Sequence, residues 1–580
     1  MKLLLISPEL KDSHFKFSKK EVKSFWFPRL SLTTIAGLTP PDVDIRLIDE
    51  SVEDVDLNMD VDLVGISVMT FMAPRAYEIA DHFRSRGIKV VLGGIHPSML
   101  PEEAKLHADT VVIGEAEEIW PRLIEDLRKG ELKPFYKMEG YPNLDMMPPQ
   151  RRDLLKQGAY MTTNCVQTTR GCPFDCEFCS VTIFCGNTFR LRPIEEVVKE
   201  VEGIKGDFVA FVDDNIAGNK DYAKKLFKAL TPLKKKWGSQ CSLSMARDPE
   251  LMDLAEKSGC VAMFIGIETL SEENLASANK SINRVGDYEK QIAIFHDHGM
   301  MVNAGMIFGF DYDDESVFER TVDFLIKNRV ELVLFSILTP LPGTALHARL
   351  EREGRIIDRN WAHYAGRHVV FKPRLLSPEA LEEGYFWAYH KFYSIPSIAR
   401  RMLHPQQRFI GRLGLNYGYR RMVLRAPEGR LSPLSRVINS LYGKFPSFER
   451  ENMIPNALNN IKEKVGEVSE QIDRFLHVRA RKNVDLSSLQ VDLAGTMDKL
   501  NAKEIKKRIL AAAERARMDI FVNFENLRYI TPSGLKALID KDLLRTIGPD
   551  VKIRCLNLKS SFKHVIDELK FNNINIEMIE

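Results

Sequence analysis

The chain has 580 residues, too many for one core, so about three or four domains are expected. It is 44% hydrophobic and 28% charged with a formal net charge of +2, which gives no global electrostatic argument for nucleic acid or membrane; no nucleic-acid partner is expected. No apolar run approaches the ~20 residues that cross a bilayer, and eight cysteines, three of them in one loop, do not read as a disulfide framework, so a reducing cytoplasm fits.

Lys2–Ile6 reads as a strand, and Pro8, Glu9, Lys11 and Asp12 interrupt it too soon for a secretory leader. Ile45–Asp49, Asp62–Ser67, Lys89–Gly94 and Thr110–Glu115 read as further strands, with helices at Ala73–Arg86 and Ile119–Arg128. Repeated strand-then-helix units predict a parallel, doubly wound sheet. Ligands of such sheets sit at the carboxyl ends of the strands. Those ends carry Ser67 and Thr70, then Gly93, Gly94 and His96, then Gly114 and Glu115. Glycines there let a backbone approach a large ligand closely. The runs Gly65–Thr70, Leu92–Pro97 and Ile113–Glu117 resemble the cobalamin-binding domain of B12-dependent radical S-adenosylmethionine (radical SAM) enzymes. The resemblance implies a Rossmann-like domain over residues 1–145 with cobalamin at the seven residues just named, His96 lining its nucleotide tail. No D-x-H-x-x-G is present, so no lower cobalt ligand is nominated. The plainer alternatives are a turn histidine at 96 and a Rossmann-like module without a ligand.

Met147–Gln150 reads as a linker, and Val166–Arg170 as a strand running into Gly171-Cys172-Pro173-Phe174-Asp175-Cys176-Glu177-Phe178-Cys179. Three thiolates spaced C-x3-C-x2-C can grip three corners of a cubane cluster and leave the fourth iron open. A zinc loop would want a fourth ligand, which nearby Cys165 and Cys185 keep available. Strands follow at Phe208–Asn215, Cys241–Met245, Met263–Thr269, Val302–Phe310 and Leu332–Leu338, with helices between, which suggests an open (β/α)6 barrel over residues 146–345. Polar residues at the carboxyl ends of barrel strands read as site residues. Glu268 is the candidate; Asp213 and Asp214 read equally well as helix caps or loop residues. The cysteine spacing resembles the radical SAM signature. It implies a [4Fe-4S] cluster on Cys172, Cys176 and Cys179, with S-adenosylmethionine on its open iron. Phe178 is then implied near adenine, Gly266–Glu268 on the ribose or methionine side, and Gly305–Gly309 on the adenine side.

Thr339–Thr344 ends the barrel and Ala345–Glu353 is helical. This turn, the segment with Trp361, His363, Tyr364 and His368, and Phe392-Tyr393 resemble the C-terminal extension of B12 radical SAM proteins that include hopanoid methylases. Residues 346–480 are therefore expected to form a helical extension and linker. Residues 395–427 hold seven arginines and no acid, a surface that can lie on anionic lipid, bind nucleic acid or pack on acidic parts of the chain. Asn456–Arg479 reads as a connector helix. Residues 483–580 restart the strand–helix rhythm, and Leu527–Leu535 resembles a STAS domain, the fold of anti-sigma-factor antagonists. Pro532 occupies the place of the phosphorylated serine there, so a docking or regulatory module is implied in place of a phospho-switch.

The whole reads as an α/β enzyme that cleaves S-adenosylmethionine reductively and functionalises an unactivated carbon. C-methylation of a lipid or other hydrophobic metabolite is the leading expectation. An electron donor such as flavodoxin or ferredoxin is implied, a protein partner through the STAS-like end is open, and the location is cytoplasmic or peripheral at the membrane. The alternatives are ring closure or C–C coupling without methyl transfer, and a cobalamin or redox sensor signalling through the STAS-like end.

Overall fold

A computed structural model describes residues 1–10, 27–145, 147–280, 282–402 and 409–424, and five strands of the C-terminal part. The chain divides into two compact units. The first holds Met1–Asp313, Thr321–Glu382 and Tyr389–Arg436, and the second Asp314–Arg320, Glu383–Ala388 and Val437–Glu580.

The first unit opens with β1 (Lys2–Ser7), β2 (Asp44–Asp49), β3 (Leu63–Ser67), β4 (Lys89–Gly93), β5 (Thr110–Ile113) and β6 (Phe135–Lys137), all parallel in the order β2-β1-β3-β4-β5-β6. The order reverses at β1, as the doubly wound expectation requires. Successive side chains of a strand face opposite sides. Leu4 and Ile6 of β1 pack with Ile79 and Phe83 of the helix Ala73–Ser85, and Leu3 and Leu5 with Trp120 and Leu123 of the helix Trp120–Lys129. Both faces are covered, which is why β1, β3 and β4 are near-continuous apolar runs instead of alternating ones. Each such side chain contributes roughly 1.5–3 kcal/mol by leaving water.

A second sheet follows: β7 (Cys165–Val166), β10 (Phe208–Phe211), β11 (Lys236–Cys241), β12 (Cys260–Glu268), β13 (Met301–Phe308) and β14 (Leu332–Ile337), parallel in the order β14-β13-β12-β11-β10-β7. Six parallel strands with β7 and β14 at the two edges, each paired to one neighbour among the described residues, match the open six-stranded arc that was expected. Beside it, β8 (Thr169–Arg170) and β9 (Arg190–Leu191) form a short antiparallel pair that brackets the cysteine loop.

Two strand expectations are corrected. Val166–Arg170 is not one strand, because the buried Asp213 carboxylate takes the amides of Thr168 and Thr169 and so breaks the ladder between β7 and β8. The strand expected at Cys241–Met245 lies earlier, at β11, and Leu243–Arg247 is a 3-10 turn. The run Lys236–Gln240 looks too polar for a strand, yet Trp237 anchors it. Its indole packs on Phe211 and Phe227 at 5.5 and 5.0 Å and donates to the Ser258 carbonyl at 3.1 Å.

After the arc come helices Ala345–Arg352, Pro378–Phe392, Ile395–Met402 and Phe409–Leu424. They place three arginines of the arginine-rich stretch against the chain itself. Arg401 is buried over the Phe392 ring and donates to the carbonyls of Val330, Glu331 and Phe392 at 2.9, 2.7 and 3.0 Å. Arg412 pairs with buried Glu331, and Arg420 donates to the Tyr393 carbonyl at 2.7 Å. Arg401 and Arg412 are buried and Arg420 is partly buried, whereas Arg400 is exposed. The side chains of Arg408, Arg421 and Arg425 lie outside the described residues.

In the second unit, β15 (His477–Lys482), β16 (Ser488–Met497), β17 (Asp519–Ile530), β18 (Ile553–Leu556) and β19 (Ile576–Ile579) form one sheet in chain order. β15 runs antiparallel to β16 and the rest are parallel. His477 begins a strand, so the end of the connector helix expected over Asn456–Arg479 is not helical; the rest of that segment, and Pro532 with Ser533, lie outside the described residues.

Candidate active site

The cysteine loop starts where β8 ends. Gly171 has φ +92°, and a Cβ there would sit 2.1 Å from the Thr188 carbonyl oxygen, so only glycine fits the turn into Cys172. Asp214, at the end of β10, accepts from the Gly171 amide at 3.1 Å. Its neighbour Asp213 accepts from both the amide and the hydroxyl of Thr168, at 2.9 and 2.8 Å, and from those of Thr169. Neither aspartate is a helix cap; both hold the start of the cysteine loop.

The middle of the loop is held from two sides. On one, the Glu177 amide donates to the Ala278 carbonyl at 3.0 Å, and Asn279 Nδ2 donates to the Asp175 carbonyl at 2.7 Å. On the other, Arg349 donates to both carboxylate oxygens of Glu177, at 2.6 and 3.1 Å, and also reaches Asp311 at 2.9 Å. Burial pushes the Cys176 thiol up to about 11, and raises Cys172 and Cys179 as well, while the Lys280 ammonium opposes the rise at all three. Thiolates are thus costly in this loop until a positive centre binds them.

Glu268 ends β12 in a left-handed conformation, φ +69°, at a register shift against β13. Such backbone in a non-glycine residue costs of order 1–3 kcal/mol and clusters at functional sites. Its carboxylate folds back over Gly266, where a Cβ would lie 2.3 Å from Oε1, and accepts from Lys280 Nζ at 2.9 Å. Phe178 meets Phe310 edge-on at 6.1 Å, so the aromatic between the last two cysteines stands at the end of β13.

The edge of the first sheet comes to the same loop. Arg170, one residue before the glycine, pairs with Glu115 and with Glu117 at 2.7 Å. Arg190, its neighbour across β8–β9, also pairs with Glu115, donates to the Pro142 carbonyl at 3.0 Å and lies over the Tyr141 ring. The carboxylate expected on a cofactor is therefore occupied by two guanidinium groups that join the two sheets. His96 is fully buried, with Nε2 3.0 Å from the Tyr77 hydroxyl and 3.3 Å from Glu103. Glu103 in turn accepts from the Trp361 indole at 3.0 Å, while His96 Nδ1 is buried without a partner. Ser67 shares a hydrogen bond with Ser31 at 3.1 Å, and Thr70 is buried in a 3-10 turn after β3. Gly94 (φ +99°) and Gly114 (φ +87°) turn the chain at the ends of β4 and β5, and a Cβ on Gly94 would come within 2.9 Å of the Val68 backbone. Gly93 makes no close approach; only Val112 lies within 4 Å of its Cβ position.

Residues 33–124 match the family model described as the B12 binding domain, and residues 166–325 that of the Radical SAM superfamily. The bacteriochlorophyllide d C-12(1)-methyltransferase of Chlorobaculum tepidum is 34% identical over 386 residues, 64% of this chain and 84% of that one. The chain belongs to the cobalamin-binding radical SAM methyltransferases. The hopanoid C-2 methylase of Rhodopseudomonas palustris is 27% identical over 349 residues, 57% of this chain and 66% of its own. In fold, the chain is similar to the cobalamin-dependent radical enzyme OxsB, with TM-score 0.54 at 16% identity, covering 76% of this chain and 74% of that one.

The family's cofactors are a [4Fe-4S] cluster, S-adenosylmethionine and cobalamin. The residues present fit them. Three thiols on one loop are the donor set of a cluster with one open iron, and a buried cation stands by to offset its charge. Among the described residues, no three His, Cys, Asp or Glu side chains converge on a single ion, whereas a cubane gives each thiolate its own iron. Cys165 and Cys185, the other candidates for a zinc loop, are each pushed up to about 12 by burial. The strand ends of the first sheet leave Ser67, Gly93 and Gly114 only partly covered, and Met69 beside them is 43% exposed. A large flat ligand fits such an edge. Asp213, Asp214, Arg170, Lys280 and Arg349 are the contributors that spacing alone did not single out. Arg170 was detectable as the residue entering the loop, and the aspartates as the end of a strand.

His363 and His368 lie beside the end of β14, whose Ile337 amide donates to the Gly366 carbonyl at 2.8 Å. His363 Nδ1 is 2.5 Å from Asp358, and its ring is 4.5 Å from that of His368. No helix among the described residues is long and apolar enough to cross a membrane.

Proposed function

We propose that this protein methylates an unactivated carbon of a large hydrophobic, polycyclic substrate. One observation carries the reading: Glu115 and Glu117, at the edge of the B12-binding sheet, grip Arg170 at the mouth of the cysteine loop. Two cofactor sites joined this way act on one substrate atom instead of working separately. Cys172, Cys176 and Cys179 hold the cluster, with Phe178 and Glu268 on the S-adenosylmethionine side. Ser67, Thr70, Gly93, Gly94 and Gly114 form the cobalamin edge, while His96 and Glu115 support that edge from behind. When bound, the cofactors supply the radical and the methyl group. The protein orients them, excludes water and positions the carbon.

The substrate class rests on relatives whose names specify bacteriochlorophyllide and hopanoid, both polycyclic and hydrophobic. The division into residues 1–145, 146–345, 346–480 and 483–580 assigns cobalamin, radical chemistry, substrate cover and regulation in turn. One antiparallel strand followed by a parallel run, β15–β19, supports the STAS-like reading of the last part and a protein partner there. A flavodoxin or ferredoxin is the natural donor. Arg401, Arg412 and Arg420 of the arginine-rich segment are given an internal role, because they are spent on carbonyls and on Glu331.

The test is turnover by anaerobically reconstituted protein with S-adenosylmethionine carrying a deuterated methyl group. Label in a polycyclic product is expected. Cleavage to 5′-deoxyadenosine with an altered but unlabelled product would assign ring closure or coupling instead, and no cleavage at all would overturn the enzyme reading.

A further inference from the structure

The turn after the helix Glu272–Ser277 touches the cysteine loop with three consecutive residues. Ala278 accepts from the Glu177 amide, and Asn279, itself left-handed at φ +53°, donates to the Asp175 carbonyl. Lys280 points its ammonium inward, its side chain only 14% exposed, to an ion pair with Glu268, 12% exposed, on the neighbouring strand end. Lys280 Nζ lies 2.9 Å from Glu268 Oε1. The arrangement is interlocked. Gly266 leaves the space into which the Glu268 carboxylate folds, and Asn283 Nδ2 donates to the carbonyls of Gly266 and Ile267 at 3.0 and 3.1 Å, fixing the bulge from the far side.

We propose that Lys280 is the counter-charge of the cluster: a positioning residue that holds Glu268 on its bulge and raises the potential at which the cluster takes up its electron. The inference rests on the assignment of the cluster to Cys172, Cys176 and Cys179. The step itself is simple. One electron from a low-potential one-electron donor enters the cluster, no bond is made or broken, and the cluster becomes more negative by one charge. A buried cation stabilises that reduced form, whereas a buried carboxylate destabilises it. Lys280 and Glu268 therefore act on the potential in opposite directions, although they form one ion pair. A purely structural pair has no such sign: loss of either partner loosens the same bulge.

The experiment is an anaerobic redox titration of reconstituted full-length protein without S-adenosylmethionine. It follows the reduced cluster by electron paramagnetic resonance, with iron and sulfide measured on every sample. Lys280→Met is expected to lower the reduced-to-oxidised ratio at a fixed potential about tenfold, which is about 59 mV for one electron. Glu268→Gln is expected to raise it, and Lys280→Arg to restore the wild-type ratio to within about twofold. Shifts of Lys280→Met and Glu268→Gln in the same direction, or no shift with full iron content, would overturn the proposal. If Lys280→Met takes up no cluster, the comparison of Glu268→Gln with wild type decides, and an unchanged or lower ratio there is fatal to it. Wild-type protein that binds no iron would instead remove the cluster assignment, a separate and recognisable outcome.

Discussion

Glu115 was expected on the cofactor, whereas the structure gives its carboxylate to Arg170 and Arg190. Glu115→Gln separates these roles. The carboxylate is 2% exposed, and its partners are 12% and 15% exposed. Glutamine keeps the shape and removes the charge, leaving two buried guanidinium groups with Glu117 as the remaining acid. Breaking a buried pair by removing one partner costs about 3–5 kcal/mol, because the other charge stays buried. At roughly 2.1 cal/mol/K of unfolding entropy per residue, a unit of roughly 400 residues loses about 4–6 °C in Tm for that cost. The assay is anaerobic thermal unfolding by calorimetry of apo and cobalamin-loaded protein, beside cobalamin retention read from absorbance after gel filtration. The expected result is a fall of that size in both forms, with retention reduced only as far as the fold is. A variant that melts within ~1 °C of wild type yet releases cobalamin would refute the reasoning and return Glu115 to the cofactor.

Three further outcomes follow from the same geometry. Burial raises the Asp213 carboxyl from 3.8 to about 6 against the hydrogen bonds of Thr168 and Thr169; the folded chain thus keeps a proton the unfolded chain releases, and stability declines as pH rises from 3.8 through about 6. Asp213→Asn should erase that slope, changing the stability gap to wild type by about 3 kcal/mol between pH 4 and 8 in denaturant titrations of apo protein, and parallel pH curves would contradict it. Serine at Cys172, Cys176 or Cys179 should each abolish the uptake of about four irons per chain on reconstitution, while Cys185→Ser should retain it; iron analysis distinguishes them. Arg401→Met strands three buried carbonyls and Asn416, and should cost about 3–5 kcal/mol in urea unfolding, so a neutral result would mean the carbonyls find water.

Much of the fold was readable because the strands are apolar runs bounded by glycine, proline or acids, and both sheets are parallel with covered faces. β11 escaped because Ser239 and Gln240 are polar, and its one anchor, Trp237, shows its purpose only when Phe211 and Phe227 are brought against it. The break between β7 and β8 escaped for a similar reason: the group that takes the two amides is Asp213, more than forty residues away in the chain. The arginine-rich stretch was left open between an outer surface and packing on the chain itself because composition records charge and not direction. Arg401 faces inward because helix packing supplies carbonyls that a linear pattern does not display.

By itself the sequence determined the chemistry: three cysteines at C-x3-C-x2-C, glycines at strand ends and a repeated strand–helix rhythm are local properties, and each follows from spacing within a few residues. Tertiary structure decided what each acid at a strand end faces. Glu115 and Glu268 are both acids at strand ends, alike in sequence. One lies opposite two arginines from another sheet and joins the halves of the site, while the other lies opposite a single buried lysine beside the cluster loop. That difference is set by what the fold places across from each carboxylate, since a buried charge takes its role from its partner.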